Sequence, residues 1–178
     1  MMALSGSGGL SKEAFNLSCI SFLDSSRRCN MKWRLETVDE DTSYLSLLEM
    51  RSLELEDSPG GTIVSCQYDI VYSQSFLVPV LYFNMSKCDG RMLTLEQVWS
   101  TTVSKYSDIS DLWTFVSQQD HPILHIPFFT LHPCCHEDIM NKLSSAVELT
   151  VENYLICWYS LVSSILGQKL PNSFAYAT

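Results

Sequence analysis

The chain has 178 residues, of which 46% are hydrophobic and 17% charged, and its formal net charge is −9 at pH 7. This length fits a single domain, and the hydrophobic fraction is large enough for a packed core, which excludes a wholly disordered chain. Acidic residues outnumber basic ones by 20 to 11 with no long run of Lys and Arg, so nucleic acid is not an expected partner.

The first ten residues, MMALSGSGGL, lack the basic and apolar regions of a secretion signal. No segment reaches the roughly 20 apolar residues of a membrane-spanning helix. We therefore expect residues 1–10 to be a flexible lead and residues 11–178 to form one domain in the cytoplasm. The seven cysteines are then expected to be reduced thiols, mostly packed as small core residues, and not a disulfide framework.

The first predicted element is a helix that begins after Ser11, a suitable N-cap residue. Its apolar side chains recur at helical spacing, namely Phe15, Cys19, Phe22 and Leu23. This pattern predicts an amphipathic helix whose apolar face lies against a sheet.

The next two segments are less uniform. Alternation over Lys32–Thr37, with Trp33 and Leu35 on the same side, predicts a half-buried strand. The leucines of Tyr44–Glu56 fit a short helix or a strand equally well, so the spacing leaves both open.

A β-hairpin is predicted after the turn sequence Ser58–Gly61. Its strands are TIVSCQYDIVYS (62–73) and FLVPVLYFNM (76–85), which are rich in β-branched and aromatic residues. Pro79 cannot donate to a ladder, which favours an edge position or a bulge for the second strand. An edge-like hairpin over Ser65–Phe83 is a candidate for docking a partner by strand addition.

Thr94 and Gln97 have the spacing of a capping box, which predicts a helix that carries Leu95, Val98 and Trp99. A short apolar run, Leu112–Val116, follows. Three prolines then make a regular helix impossible over residues 118–134, so we expect an irregular segment there. Long irregular segments in compact domains are often functional.

Two further helices are predicted near the end of the chain. Apolar residues at helical spacing mark the first over Ile139–Val147, and Thr150 is expected to cap the second, which runs to Ile165. Gly167 is a suitable stop signal. The order of elements predicts an α+β fold with an antiparallel sheet.

A cysteine and histidine cluster around residue 134 allows four interpretations. Cys134 can be a nucleophile that carries an acyl group, because it lies where an extended segment meets a helix whose first amides favour a thiolate. The cluster can bind zinc, although it lacks a paired ligand frame. It can belong to a Cys/His peptidase, or it can simply pack and hydrogen-bond. Its members are His121, His125, His132, Cys134, Cys135 and His136.

Four sequence blocks carry a resemblance that favours the first interpretation: YDIVYSQSFLVPVLYF from Tyr68, DGRMLTLEQVW from Asp89, QQDHPILHIPFFTLHPC from Gln118 and LPNSFAYAT from Leu170. Through them the chain resembles the autophagy-related E2-like conjugating enzymes, whereas the region before Cys66 shows no convincing match. The resemblance implies an E2-like fold, an antiparallel sheet flanked by helices. The VPVLYF and QQDHPIL segments resemble the branch of the family that modifies a protein lysine.

The resemblance also implies roles for particular residues. Cys134 matches the cysteine that takes the C-terminal glycine of a ubiquitin-like modifier as a thioester, and His132 and Pro133 complete the His-Pro-Cys motif. Ordinary E2 enzymes support the oxyanion with the Asn of a His-Pro-Asn motif, which is missing before Cys134, so that support must come from elsewhere. Tyr72 and Tyr82 are candidate supporting residues, with a role as core or cross-strand partners as the alternative.

The implied partners are an E1-like activating enzyme resembling autophagy-related protein seven, a modifier resembling autophagy-related protein twelve and an acceptor resembling autophagy-related protein five. The activating enzyme would use the ATP, so no cofactor or metal is expected, and the chain has no phosphate-binding glycine loop. A zinc-binding module or an inactive E2-like interaction module is the alternative.

Overall fold

The chain folds into a six-stranded antiparallel sheet with helices packed on one face, so the predicted α+β class is confirmed. The computed structural model describes residues 9–55, 58–102, 116–136, 140–141, 143, 147–168 and 170–175. Its helices are α1 (Lys12–Arg28), α2 (Leu95–Thr102), α3 (Tyr154–Ile165) and α4 (Asn172–Ala175). Its strands are β1 (Arg34–Thr37), β2 (Ser43–Leu55), β3 (Ser58–Ser73), β4 (Val78–Lys87), β5 (Val116–Asp120) and β6 (Pro127–Leu131).

The strand order is β1-β2-β3-β4-β6-β5, and each neighbouring pair is antiparallel. The main core lies between one face of this sheet and helices α1, α3 and α4. We call the opposite face the outer face. No helix in the described ranges is both long enough and apolar enough to cross a membrane.

Helices α1 and α2 begin where their capping residues predict. The Ser11 hydroxyl accepts from the N–H of Ala14 at 3.2 Å, which caps α1. At α2 the capping box is reciprocal, because the Thr94 N–H donates to the Gln97 side chain at 3.0 Å and the Gln97 N–H donates to the Thr94 hydroxyl at 3.2 Å. Leu10 is buried and donates to the Leu77 carbonyl, so packing begins within the lead predicted to be flexible.

Helix α3 begins later than predicted but ends where predicted. Thr150 and Asn153 exchange hydrogen bonds between side chain and backbone, and the helix starts only at Tyr154. Gly167 follows its last turn at φ +61°, the left-handed conformation that glycine adopts easily. The helix predicted over Ile139–Val147 lies largely outside the described residues.

The segment Tyr44–Glu56, which could have been helix or strand, is strand β2 up to Leu55. Ser58–Gly61 was predicted to be a turn but belongs to β3, and pairing starts at Ser58 opposite Leu55. The predicted common face of Trp33 and Leu35 is wrong. Trp33 precedes β1 and is buried, whereas Leu35 is 44% exposed.

The segment 118–134, predicted to be irregular, forms most of an antiparallel hairpin between β5 and β6. Its prolines are tolerated because each stands where a backbone N–H is not needed. Pro122 lies in the turn, Pro127 opens β6, and Pro133 opens a short 3₁₀ helix.

The hairpin of β3 and β4 lies inside the sheet, so docking by strand addition over Ser65–Phe83 is wrong for this fold. The outermost strands are β1 and β5. Because β1 pairs with β2 only over Ser43–Ser46, the rest of β2, Leu47–Leu55, has no described strand on that side. Leu48 and Met50 in this stretch are more than half exposed.

Arg51 of β2 ties the sheet to the end of α3. Its guanidinium donates to the carbonyls of Leu166 at 3.0 Å and Gly167 at 2.8 Å and to the Tyr68 hydroxyl at 3.0 Å. A cation at a helix C-terminus also interacts favourably with the helix dipole. One side chain therefore satisfies the helix end and fixes it against the sheet.

We expect Arg51→Met to lower the free energy of unfolding by about 2–4 kcal/mol, because three partly buried polar groups lose a charged donor. Urea unfolding followed by circular dichroism measures this change. The matched control is Arg34→Met, because Arg34 is 67% exposed and belongs to a surface ion pair. This substitution should lower the free energy of unfolding by less than about 1 kcal/mol. Equal losses in the two variants would contradict the role assigned to Arg51.

Candidate functional site

Cys134 lies in the first turn after β6, on the surface of the molecule. The chain leaves the sheet at Leu131, passes through His132 and enters a 3₁₀ helix over Pro133–Cys135. The Cys134 side chain is exposed. The thiol of Cys134 is therefore exposed to solvent in the helical turn that directly follows β6.

His132 caps this turn with its side chain. Its Nδ1 accepts a hydrogen bond from the backbone N–H of Cys134 at 3.1 Å. A neutral imidazole that accepts through Nδ1 carries its proton on Nε2, so this contact fixes the tautomer. The ring also packs nearly edge-on against Phe76, with centroids 6.0 Å apart. Pro133 follows at the first helical position, where its fixed φ is favourable.

Phe76 is a neighbour of the site that the sequence did not single out. It lies in the turn between β3 and β4 and is 53% exposed, which is unusual for a large aromatic side chain. The only available signal was its place in the block that carried the resemblance. Its contact with His132 brings the end of the β3–β4 hairpin to the reactive segment.

Tyr72 and Tyr82 make structural contacts on opposite faces of the sheet. The Tyr72 hydroxyl donates to the Leu10 carbonyl at 2.8 Å, and its ring packs on Phe15 of α1. Tyr82 packs against His121 on the outer face, at a ring distance of 4.9 Å. Their role at the site stays a prediction, and the observed contacts fit the alternative of core and cross-strand partners.

His121 is fully buried on the outer face beside the equally buried Asp69 of β3. Its Nε2 lies 3.5 Å from the Asp69 carboxylate without making a hydrogen bond, and this carboxylate accepts from the Gln67 side chain at 2.9 Å. Burial raises the pKa of Asp69 to about 6. Burial, with a smaller effect of the nearby His125, lowers the pKa of His121 to about 4. Asp69 is therefore ionised and His121 neutral at pH 7.

The histidines of the hypothetical zinc cluster do not converge. His121 lies on the outer face, whereas His136 is buried against α3 and hydrogen-bonds the Tyr154 hydroxyl at 2.7 Å. His125 is exposed in the turn between β5 and β6. In the part of the chain that the structure describes, no three His, Cys, Asp or Glu side chains are grouped to hold a metal ion.

Comparison with known families gives one match that covers nearly all of the chain. The family model described as autophagocytosis associated protein, active-site domain, matches residues 14–173. The match includes Cys134 and every strand and helix described above, except the first two residues of α1 and the last two of α4.

Three curated relatives agree with the family match. The human ubiquitin-like-conjugating enzyme ATG10 is 39% identical over 129 residues, which cover 70% of this chain and 58% of the human protein. The Arabidopsis thaliana enzyme of the same name is 38% identical over 113 residues, 58% of this chain and 49% of the relative. The Dictyostelium discoideum enzyme of the same name is 31% identical over 122 residues, which cover 61% of this chain and 53% of the relative. The chain thus spans 49% to 58% of the length of these relatives.

The cap predicts a difference between two substitutions of His132. His132→Ala removes the acceptor of the Cys134 N–H and should speed solvent exchange of that amide roughly fivefold to tenfold, since an N-cap contributes about 1 kcal/mol. His132→Asn keeps a short side-chain acceptor and should stay near the wild-type rate. Exchange measured by nuclear magnetic resonance distinguishes them, and identical rates in the two variants would show that the cap is not formed in solution.

The buried side chains of His121 and Asp69 predict how the stability of the fold depends on pH. His121 has a pKa below its ordinary 6.5, so its contribution to stability is lost as pH falls from 6.5 towards 4. Asp69 has a pKa above its ordinary 3.8, so its contribution changes in the opposite sense, growing as pH falls through 6. The two effects nearly cancel in the wild type.

Asp69→Asn should leave only the effect of His121. Relative to the wild type, the variant should lose about 2 kcal/mol of unfolding free energy between pH 6.5 and 4.5, because the compensating gain from Asp69 is missing. Urea unfolding at several pH values gives both curves. Asp41→Asn is the control because Asp41 is 93% exposed, and its curve should run parallel to that of the wild type. A parallel curve for Asp69→Asn would contradict the assigned protonation states.

Proposed function

Because the chain belongs to the autophagocytosis-associated active-site family, we propose that it is an E2-like enzyme of autophagy. It carries a ubiquitin-like modifier as a thioester on Cys134 and transfers the modifier to a lysine of an acceptor protein. The observation that carries this proposal is the exposed thiol of Cys134, held at the start of a capped turn that directly follows a strand. The names of the relatives, ubiquitin-like-conjugating enzymes, support the same chemistry.

The reaction has two acyl transfers. In the first, the Cys134 thiolate attacks the carbonyl carbon of the modifier's C-terminal glycine on the activating enzyme; the new C–S bond forms as the activating enzyme's thiol leaves. In the second, a neutral lysine amine attacks the same carbon, the C–N bond forms, and the Cys134 thiolate leaves. The amine proton passes to solvent or to a base on the acceptor.

The lysine must be deprotonated and held in place, since its ordinary pKa is about 10.4. Positioning the amine against the thioester can supply roughly 7–11 kcal/mol of the barrier reduction. The exposed thiol leaves room for a protein acceptor to approach. Docking of the acceptor is therefore part of the catalysis.

The cap restricts how the site stabilises the oxyanion. The backbone N–H of Cys134 itself already donates to His132 Nδ1. The same contact occupies the lone pair through which a neutral His132 would accept a proton. His132 is therefore a positioning residue in this arrangement, and oxyanion support comes from other donors.

The proposed partners are an E1-like activating enzyme resembling autophagy-related protein seven, a modifier resembling autophagy-related protein twelve and an acceptor resembling autophagy-related protein five. The proposed reaction takes place in the cytoplasm. It needs no cofactor on this chain, because the activating enzyme supplies the energy of ATP before the modifier reaches Cys134.

A thioester assay tests the proposal. The chain is incubated with the activating enzyme, ATP and the modifier of the same organism and then analysed without reducing agent. We expect an adduct that thiols release from the wild type, a thiol-resistant oxyester on Cys134→Ser, and no adduct on Cys134→Ala, a loss of at least about 100-fold.

Cys88→Ser is the matched control, because Cys88 is also exposed but lies in the turn after β4. It should form the adduct at the wild-type rate. An oxyester on Cys135→Ser with none on Cys134→Ser would move the nucleophile to Cys135. A folded wild type that binds the modifier but forms no adduct would identify an inactive interaction module instead, and stoichiometric zinc in the purified protein would favour a metal-binding module.

A further inference from the structure

The hairpin of β5 and β6 is joined to the sheet by a short ladder, although it carries the segment that ends at Cys134. β6 pairs with β4 at Tyr82–Thr130 and Phe83–Phe129. By contrast, β3 and β4 pair continuously from Val64–Lys87 to Ser73–Val78. The position of the hairpin therefore depends on contacts outside its ladder with β4.

His121 organises the turn of this hairpin. Its backbone N–H donates to the Ile126 carbonyl, and its carbonyl accepts from the His125 N–H, both at 2.9 Å. Its Nδ1 accepts from the N–H groups of Ile123 at 3.3 Å and Leu124 at 3.1 Å. A single residue thus satisfies four backbone groups of the turn.

The same side chain fixes the turn to the outer face. The buried ring of His121 packs between aromatic side chains of three strands, with centroid distances of 5.6 Å to Tyr44, 4.9 Å to Tyr82 and 5.0 Å to Phe128. Because Nδ1 is an acceptor, the ring proton is on Nε2, which faces Asp69 Oδ2 at 3.5 Å. Asp69 belongs to β3, a strand inside the sheet, and is fully buried.

We propose that His121 and Asp69 are positioning residues for the reaction at Cys134, an inference that rests on the proposed function. They fasten the turn between β5 and β6 to β3, and this contact sets the direction in which β6 presents Cys134. His132 and Phe76 hold the opposite end of the strand through their ring contact. The two anchors together determine where the thiol stands.

Acid should act on the anchor formed by His121 and Asp69 in two opposite ways. Protonation of His121 at Nδ1 breaks both hydrogen bonds to the turn amides and so loosens the anchor. Protonation of Asp69 removes the cost of burying its charge and so favours the buried arrangement. The other titratable groups that face the pair are Glu36 from β1, Tyr44 from β2, Tyr82 from β4 and His125 from the turn itself. The pKa of Asp69, raised by burial, places its stabilising protonation near pH 6, whereas the pKa of His121, lowered by burial, places the loosening towards pH 4.

Hydrogen exchange in the full chain tests the anchor without any partner. In His121→Asn the shorter amide can still accept from the turn but cannot reach Asp69. We expect the amides of Phe128–Leu131 to exchange at least about tenfold faster than in the wild type, while the amides of α1 keep their wild-type rates. His125→Asn is the control on the same turn, because asparagine tolerates the φ of +55° at this position. This substitution should leave the exchange rates of the β6 amides at their wild-type values.

The pH profile separates positioning from general stability. After correction for intrinsic exchange, wild-type β6 amides should change little between pH 6.5 and 4.5 because the two protonations oppose each other, whereas in Asp69→Asn they should exchange faster as pH falls below 6.5. At pH 7 the double variant of His121→Asn and Asp69→Asn should resemble either single variant, since the two residues act as one unit. Thioester formation on Cys134 and its discharge to lysine should fall about tenfold in each.

Equal acceleration in α1 and β6 would overturn the inference, because it would mean a general loss of stability. Unchanged exchange of the β6 amides in His121→Asn, or no acid acceleration of these amides in Asp69→Asn, would overturn it as well. Absence of a thioester in the wild type would refute the proposed function. The exchange measurements would still test whether His121 and Asp69 hold β6 in place.

Discussion

The ladder of two residue pairs between β4 and β6 is the constraint on which the arrangement around Cys134 depends. So short a ladder cannot hold a hairpin by backbone hydrogen bonds alone, and both faces of β6 supply further contacts. Phe129 and Leu131 enter the main core, and the Thr130 hydroxyl donates to the Leu81 carbonyl at 3.0 Å on the other side. The result is a strand that is well packed along its length and is followed by a turn in which the Cys134 thiol is exposed.

Much of the fold could be predicted because local chemistry and tertiary structure agree. The stripe of α1, the capping box of α2 and the stop at Gly167 each satisfy backbone groups within a few residues, so the sequence alone identifies them. Cys134 was predicted to be the nucleophile from the resemblance of four sequence blocks, and its role stays a prediction. The hydrogen bond by which His132 caps the Cys134 turn was not predicted, because the sequence does not show which way an imidazole points.

What could not be predicted depends on contacts between distant parts of the chain. Apolar and polar residues do not alternate cleanly along β2, because Arg51 occupies a position on the core-facing side. There it binds the end of α3. The prolines around β5 and β6 indicated an irregular segment, whereas the chain forms a hairpin there whose turn is held by hydrogen bonds of His121. Asp69 gave one signal, a carboxylate inside the β-branched run QYDIVY, but only the fold shows that His121 covers it.

The stretch Leu47–Leu55 of β2, which has no strand on its β1 side among the described residues, has a consequence for how the isolated chain behaves at high concentration. A strand edge of this kind that displays Leu48 and Met50 is a template for pairing with another copy of itself. The net charge of −9 opposes this by mutual repulsion, which salt screens over about 10 Å at 0.1 M. A low ionic strength therefore preserves the repulsion that opposes association between copies of the chain.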